Sequence, residues 1–111
     1  MSATPLDEIR RQSTRAQVIE ILRTTYDPEI PVNVYDMGLV YDVHVSTVGE
    51  VVVTMTLTSP GCPVAGTLLN EIEERVASIA GVSKARVELV WDPPWTPDRM
   101  SEAARLELGF M

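Results

Sequence analysis

The stretch LVYDVHVSTVGEVVVTMTLTSPGCPVAG, residues 39 to 66, decides the fold. Its first eight residues alternate. Leu39, Tyr41, Val43 and Val45 fall on one side and Val40, Asp42, His44 and Ser46 on the other, which is the period of a half-buried strand. Val48-Gly49-Glu50 then reads as a hairpin turn, with Gly49 supplying a positive φ. The return strand, 51–58, sets Val51, Val53, Met55 and Leu57 toward a core. Thr54, Thr56 and Thr58 share the opposite face with Val52, so that face is rich in hydroxyls. At SPGCP the alternation stops and a helix begins. Pro63 suits a first helical position, because the N–H it lacks would have had no partner there. Cys62 then falls near the N-cap.

Toward the C-terminus, residues 63–79 carry apolar side chains at helical spacing: Ala65, Leu68, Leu69, Ile72, Val76 and Ile79. Glu71, Glu73, Glu74 and Arg75 lie on the solvated face, and Gly81 is a helix stop. A third strand over 85–91 alternates Ala85, Val87, Leu89 and Trp91 against Arg86, Glu88 and Val90. The Pro-rich WDPPWTPD, 91–98, leads to a final short helix over 101–108. Toward the N-terminus, Thr14 and Gln17 have capping-box spacing, followed by Val18, Ile19, Leu22 and Tyr26 at helical intervals. That helix should end near Tyr26, since Asp27 precedes Pro28 and is pushed out of the α region. Residues 1–12 read as a flexible leader or an early helical turn, and 13–111 as one domain. The order is α-β-β-α-β-α. A hairpin whose second strand reaches a third through a crossover helix gives a mixed three-stranded sheet with helices on one face, a single two-layer α/β domain.

Composition narrows the partners. A net charge of −7 over 111 residues argues against nucleic acid, whose phosphates require a basic face, and against an anionic membrane surface. The N-terminal MSATPLDEIRRQ has acids and arginines where a secretory signal needs an apolar run. Residues 51–70 are uncharged, but Pro60, Gly61, Pro63 and Gly66 divide them into strand, loop and helix rather than a membrane span. The expected location is the cytoplasm, where a reducing environment suits an unpaired thiol.

Cys62 is the only cysteine, so it forms no disulfide within one chain. Two readings stand. A thiol at a helix N-terminus has a lowered pKa and is a competent nucleophile or metal ligand; a free cysteine is also a common small core residue. Asp27, Glu29 and Asp36 lie within ten residues among prolines and a glycine. Carboxylates held in such a loop can ligate a cation or act in acid–base chemistry, and Asp is equally at home ending helices and forming turns. Thr56, Thr58 and Ser59 offer hydroxyls on the approach to Cys62, suited to loop backbone or to a thiolate or sulfide. His44, the sole histidine, falls on the open sheet face and is left outside the site. No CxxC, HExxH, GxSxG or GxxxxGKS motif is present, and one Cys with one His cannot complete a four-ligand zinc or cluster site. Trp91 continues the strand alternation and reads as packing. Trp95 reads either as packing or as an aromatic platform for a partner.

Three segments together resemble a known family: DPEIPVNVYDMGLVYDV (27–43), TLTSPGCPVAG (56–66) and VWDPPWTPDRMSEAARLELGF (90–110). In order and spacing they are similar to the SufT-like, PaaD-like family of small iron–sulfur cluster assembly proteins, over nearly all the chain beyond the first helix. The resemblance implies a small α/β fold and a non-enzymatic role in cluster maturation. Carried over by position, it makes Cys62 the exchangeable ligand for iron or a cluster. Asp27, Glu29 and Asp36 become its acidic loop, Thr58 and Ser59 its neighbouring hydroxyls, and the acidic loop folds against the cysteine loop. The helix N-terminus would then lower the thiol's pKa while the carboxylates raise it, a conflict that a bound iron resolves. The implied cargo is a transient iron–sulfur cluster or iron, with none tightly bound. The implied partners are cluster scaffold or carrier proteins and client apoproteins. Some members are fused to P-loop ATPases, so such an ATPase is a candidate partner of this stand-alone chain. One thiol per chain also leaves room for a homodimer. Two other readings stay open: an adaptor that joins scaffold to client without ligating metal, and a thiol-based redox protein.

Overall fold

A computed structural model describes residues 8–27, 30–58 and 65–109. Helix α1 (Glu8–Leu22) leads to strands β1 (Val40–Val45) and β2 (Glu50–Met55). Helix α2 (Ala65–Ala77) connects to β3 (Lys84–Leu89), and a 3-10 turn (Pro97–Arg99) precedes α3 (Glu102–Leu108). The sheet order is β1-β2-β3. β1 pairs antiparallel with β2, in the register Val43↔Val53 and Val45↔Val51. β3 pairs parallel with β2, Val51 opposite Ala85 and Met55 opposite Leu89. This is the mixed sheet that the hairpin and crossover helix demand. Among the described residues no helix is long and apolar enough to cross a membrane.

The core follows the period-two pattern. Val43, Val45, Val51, Val53, Met55 and Leu57 are buried against Val18 and Leu22 of α1 and Leu68, Ile72 and Val76 of α2. Burying each such side chain contributes roughly 1.5–3 kcal/mol, which offsets the entropy of ordering the chain. Gly49 has φ 85° and closes the hairpin as the turn requires. The alternation slips once, where the β1–β2 register shifts between Val40 and Asp42. Tyr41 sits in that irregularity and is only half-buried, its hydroxyl donating to the carbonyl of Pro93 at 2.7 Å.

Helix α1 differs from expectation at both ends. It begins at Glu8, so Thr14 is a buried residue in mid-helix rather than a cap. The amide of Gln17 donates back to the carbonyl of Ser13 instead of closing a capping box. The added turns lack apolar periodicity, and the N-terminal half of the helix is held to β1 by arginines. Arg11 Nε donates to the carbonyl of Val45 at 3.1 Å and Arg15 Nε to that of Val43 at 3.2 Å, covering the outer edge of β1. At its other end the helix stops at Leu22, and Tyr26 is 49% exposed rather than part of the apolar stripe. Thr25 takes the inner position. Its hydroxyl donates to the carbonyl of Ile21 at 2.8 Å and accepts from Arg75 Nη1 at 2.8 Å, which ties α1 to α2.

Strand β3 ends at Leu89, two residues before the expected Trp91. Ala85, Val87 and Leu89 lean on the core while Arg86 and Glu88 are exposed. Helix α3 has the expected limits. Ser101 is its N-cap, accepting from the N–H of Ala104 at 3.1 Å, and Gly109 ends it with φ 78°.

Candidate functional site

Three connections leave the sheet at one end. The N–H of Thr56, just past β2, donates to the carbonyl of Leu39, just before β1, at 2.8 Å; the N–H of Val90, just past β3, donates to the carbonyl of Met55 at 2.9 Å. The α1–β1 loop, the β2–α2 connection and the Pro-rich segment therefore share the carboxyl end of the parallel pair. In open α/β sheets that end is where sites are built. Of the expected site residues, Asp27, Asp36 and Thr58 are described. Glu29, Ser59 and Cys62, with the N-cap placement of the thiol, lie outside the described residues.

The acidic loop is cross-braced. Tyr26 and Asn33 form an isolated antiparallel bridge across its neck, and the N–H of Val34 donates to the carbonyl of Thr25 at 2.9 Å. Asp27 is 8% exposed and its carbonyl accepts from the N–H of Ile30 at 3.0 Å. Asp36 is engaged differently. Its carboxylate accepts from Asn33 Nδ2 at 2.8 Å, and its N–H donates to Asn33 Oδ1 at 2.8 Å. This reciprocal pair is the turn chemistry that Asx residues supply. The spacing of Asn33 and Asp36 is its only trace in the sequence, and reading Asp36 among the acids left the asparagine out.

The following glycine has a steric reason. Gly38 has φ 79°, and a Cβ there would overlap the carbonyl of Arg99. The segment after β3 is packed onto the loop at that point. Trp95 Nε1 donates to the carbonyl of Met37 at 2.6 Å, and the N–H of Ser101 donates to the carbonyl of Asp36 at 2.8 Å. The two tryptophans are placed differently from one another. Trp95, considered as a partner platform, is half-buried and hydrogen-bonded, while Trp91, assigned to packing, is 44% exposed. The strand ends before Trp91, so alternation no longer governs that residue.

Beside the loop lies a cleft of about 140 Å³ lined by Tyr26, Asn33, Asp36, Ala104 and Glu107, among others. Glu107 joins it from α3, a juxtaposition with no local signal in the sequence. Two carboxylates, those of Asp36 and Glu107, thus belong to residues lining the cleft. The hydroxyls also divide: Thr58 is exposed, whereas Thr56 is fully buried and its Oγ1 has no hydrogen-bond partner among the described residues. Among the described residues no cluster of three or more His, Cys, Asp or Glu side chains could hold a metal ion.

Comparison with known proteins places this arrangement. Residues 15–89 match the model of a family described as iron–sulfur cluster assembly protein. The chain is 50% identical over 98 residues to a protein of Porphyromonas gingivalis named Fe-S protein maturation auxiliary factor, covering 88% of this chain and 93% of that one. It is 41% identical over 83 residues to the Fe-S protein maturation auxiliary factor SufT of Staphylococcus aureus, covering 75% of this chain and 94% of that one. Among solved structures, a domain of unknown function from Bacillus anthracis superposes with a TM-score of 0.85 at 34% identity, covering 95% of this chain and all of that one. The match takes in the acidic loop, the cysteine segment and all three strands, and on that ground this chain belongs to the iron–sulfur cluster assembly protein family.

Proposed function

We propose that this protein is a non-enzymatic maturation factor that helps deliver iron or an iron–sulfur cluster to client apoproteins, with Cys62 as the exchangeable ligand. The observation that carries this reading is its near full-length similarity to proteins named as Fe-S protein maturation auxiliary factors. The convergence of the acidic loop and the start of the cysteine segment on one end of the sheet supports it. Asp27 and Glu29 would orient the site and favour a cation, with Thr58 and Ser59 beside the thiol. A single thiol supplies one of the several ligands a cluster needs, so the remainder come from a partner's cysteines, a second copy or a small thiol. Retention is then weak, which suits transfer to a client. The partners are cluster scaffolds or carriers and client apoproteins in the cytoplasm, with a P-loop ATPase as one candidate.

The test is complementation of cells lacking the protein with Cys62→Ser and Cys62→Ala. Both variants are expected to leave client iron–sulfur enzymes at background activity while the proteins accumulate normally. Full client activity with either one removes the cysteine from the mechanism. Anaerobic reconstitution with iron and sulfide should yield a visible chromophore on the wild-type protein that gel filtration strips away. The exposed Trp91 favours one second reading, an adaptor joining scaffold to client without ligating metal. In that case Cys62→Ala keeps both its partners in pull-downs and its function.

A further inference from the structure

The two edges of the sheet are finished differently. On β1 the outward carbonyls of Val43 and Val45 are occupied by Arg15 and Arg11. On β3 the outward row belongs to Ala85, Val87 and Leu89, because the N–H of Val90 turns inward to Met55 and that of Val87 turns outward. Among the described residues one side chain meets this row: Glu73 of α2 accepts from the N–H of Val87 at 2.9 Å. The other outward amides and carbonyls of β3 have no hydrogen-bond partner among the described residues, and such a row templates pairing with another strand.

The sequence of β3, KARVEL, is complementary to itself about Val87. In an antiparallel pair of two copies with Val87 on the two-fold axis, Val87 faces Val87, Ala85 faces Leu89 and Arg86 faces Glu88. The residues that would exchange hydrogen bonds are Ala85, Val87 and Leu89, whose groups already point outward. Arg86 and Glu88 then fall at the non-hydrogen-bonded positions, where opposed Cα atoms approach to about 4.5 Å and side chains interact most strongly. Both are exposed on the helix-free face and contact one another within one chain at 3.2 Å, so pairing exchanges that exposed contact for two across the axis. Ala85, Val87 and Leu89 would cover their remaining apolar surface on the other face.

We propose that β3 is a self-pairing edge through which two copies of this chain form a continuous six-stranded sheet, with Glu73 as the guard that pairing must displace. The occupant is a second copy because the charge order Arg86-x-Glu88 matches its own reverse. Isologous symmetry requires just such self-complementarity.

Sedimentation equilibrium from micromolar to millimolar concentration tests this. The wild-type chain is expected to dimerise reversibly. Arg86→Glu places like charges opposite one another twice and should raise the dissociation constant about tenfold or more. Arg86→Glu combined with Glu88→Arg should restore it. Glu73→Ala removes the guard and should tighten the dimer, while Val87→Pro removes the central outward N–H and should abolish it. Far-UV circular dichroism checks folding of the proline variant, and the charge-swap pair decides the matter if that variant does not fold. A monomer at millimolar concentration in both the wild type and Glu73→Ala overturns the proposal. So does a dimer indifferent to Arg86→Glu, which would use another surface. A chain that stays monomeric yet takes up a peptide of different sequence along β3 overturns it as well.

Discussion

At the scale of single residues, Thr56 shows how burial changes the meaning of a side chain. Alternation places its hydroxyl on a polar face, yet the residue is fully buried and Oγ1 has no partner among the described residues. A buried, unsatisfied hydroxyl costs about 1–3 kcal/mol, and an apolar group of the same shape removes that cost. Thr56→Val is therefore expected to raise the unfolding free energy by about 1 kcal/mol in denaturant titration. A loss of stability would mean that the hydroxyl has a native partner. Asp36 and Asn33 make the complementary point. Asp36 reads as one of the loop acids and Asn33 draws no reading of its own, and their reciprocal bonds become visible only when the loop is closed. The motif glycine was legible as a glycine, but its reason, the approach of Arg99 to Gly38, belongs to a contact sixty-one positions along the chain.

At the scale of elements, the apolar pattern named the three strands and the crossover helix because their buried faces repeat at regular periods. It misplaced the start of α1, since the first turns, bonded to β1 through Arg11 as the next is through Arg15, have no apolar stripe to announce them. Replacing both arginines by Met keeps the apolar stems and removes the two bonds to the β1 edge. The double variant should lose roughly 1–2 kcal/mol of unfolding free energy, read from the denaturation midpoint at unchanged slope. An unchanged midpoint would assign those bonds no net value. The last strand residue was misjudged for a related reason. Trp91 continues the alternation in sequence but follows the last paired residue, and alternation has structural force only where strands pair.

At the scale of the whole molecule, the segment after β3 locks the acidic loop in place through Trp95, Ser101 and Arg99. Trp95→Phe removes one half-buried hydrogen bond and should cost about 1 kcal/mol. The two tryptophans can be separated by acrylamide quenching. Trp91→Phe should leave a shielded emitter and Trp95→Phe a readily quenched one; equal quenching would contradict the packing described. The α/β class, the element order, most of the core and the family likeness were legible in the order of residues alone. Those properties rest on local periodicity, turn chemistry and short motifs, each contained within a few turns or strands. Which tryptophan is exposed, why Gly38 is required, which arginines cover β1 and how Glu73 meets the edge of β3 followed only from the folded chain. These depend on which distant segments meet, and burial and hydrogen bonding act on the meeting rather than on the order of residues along the chain.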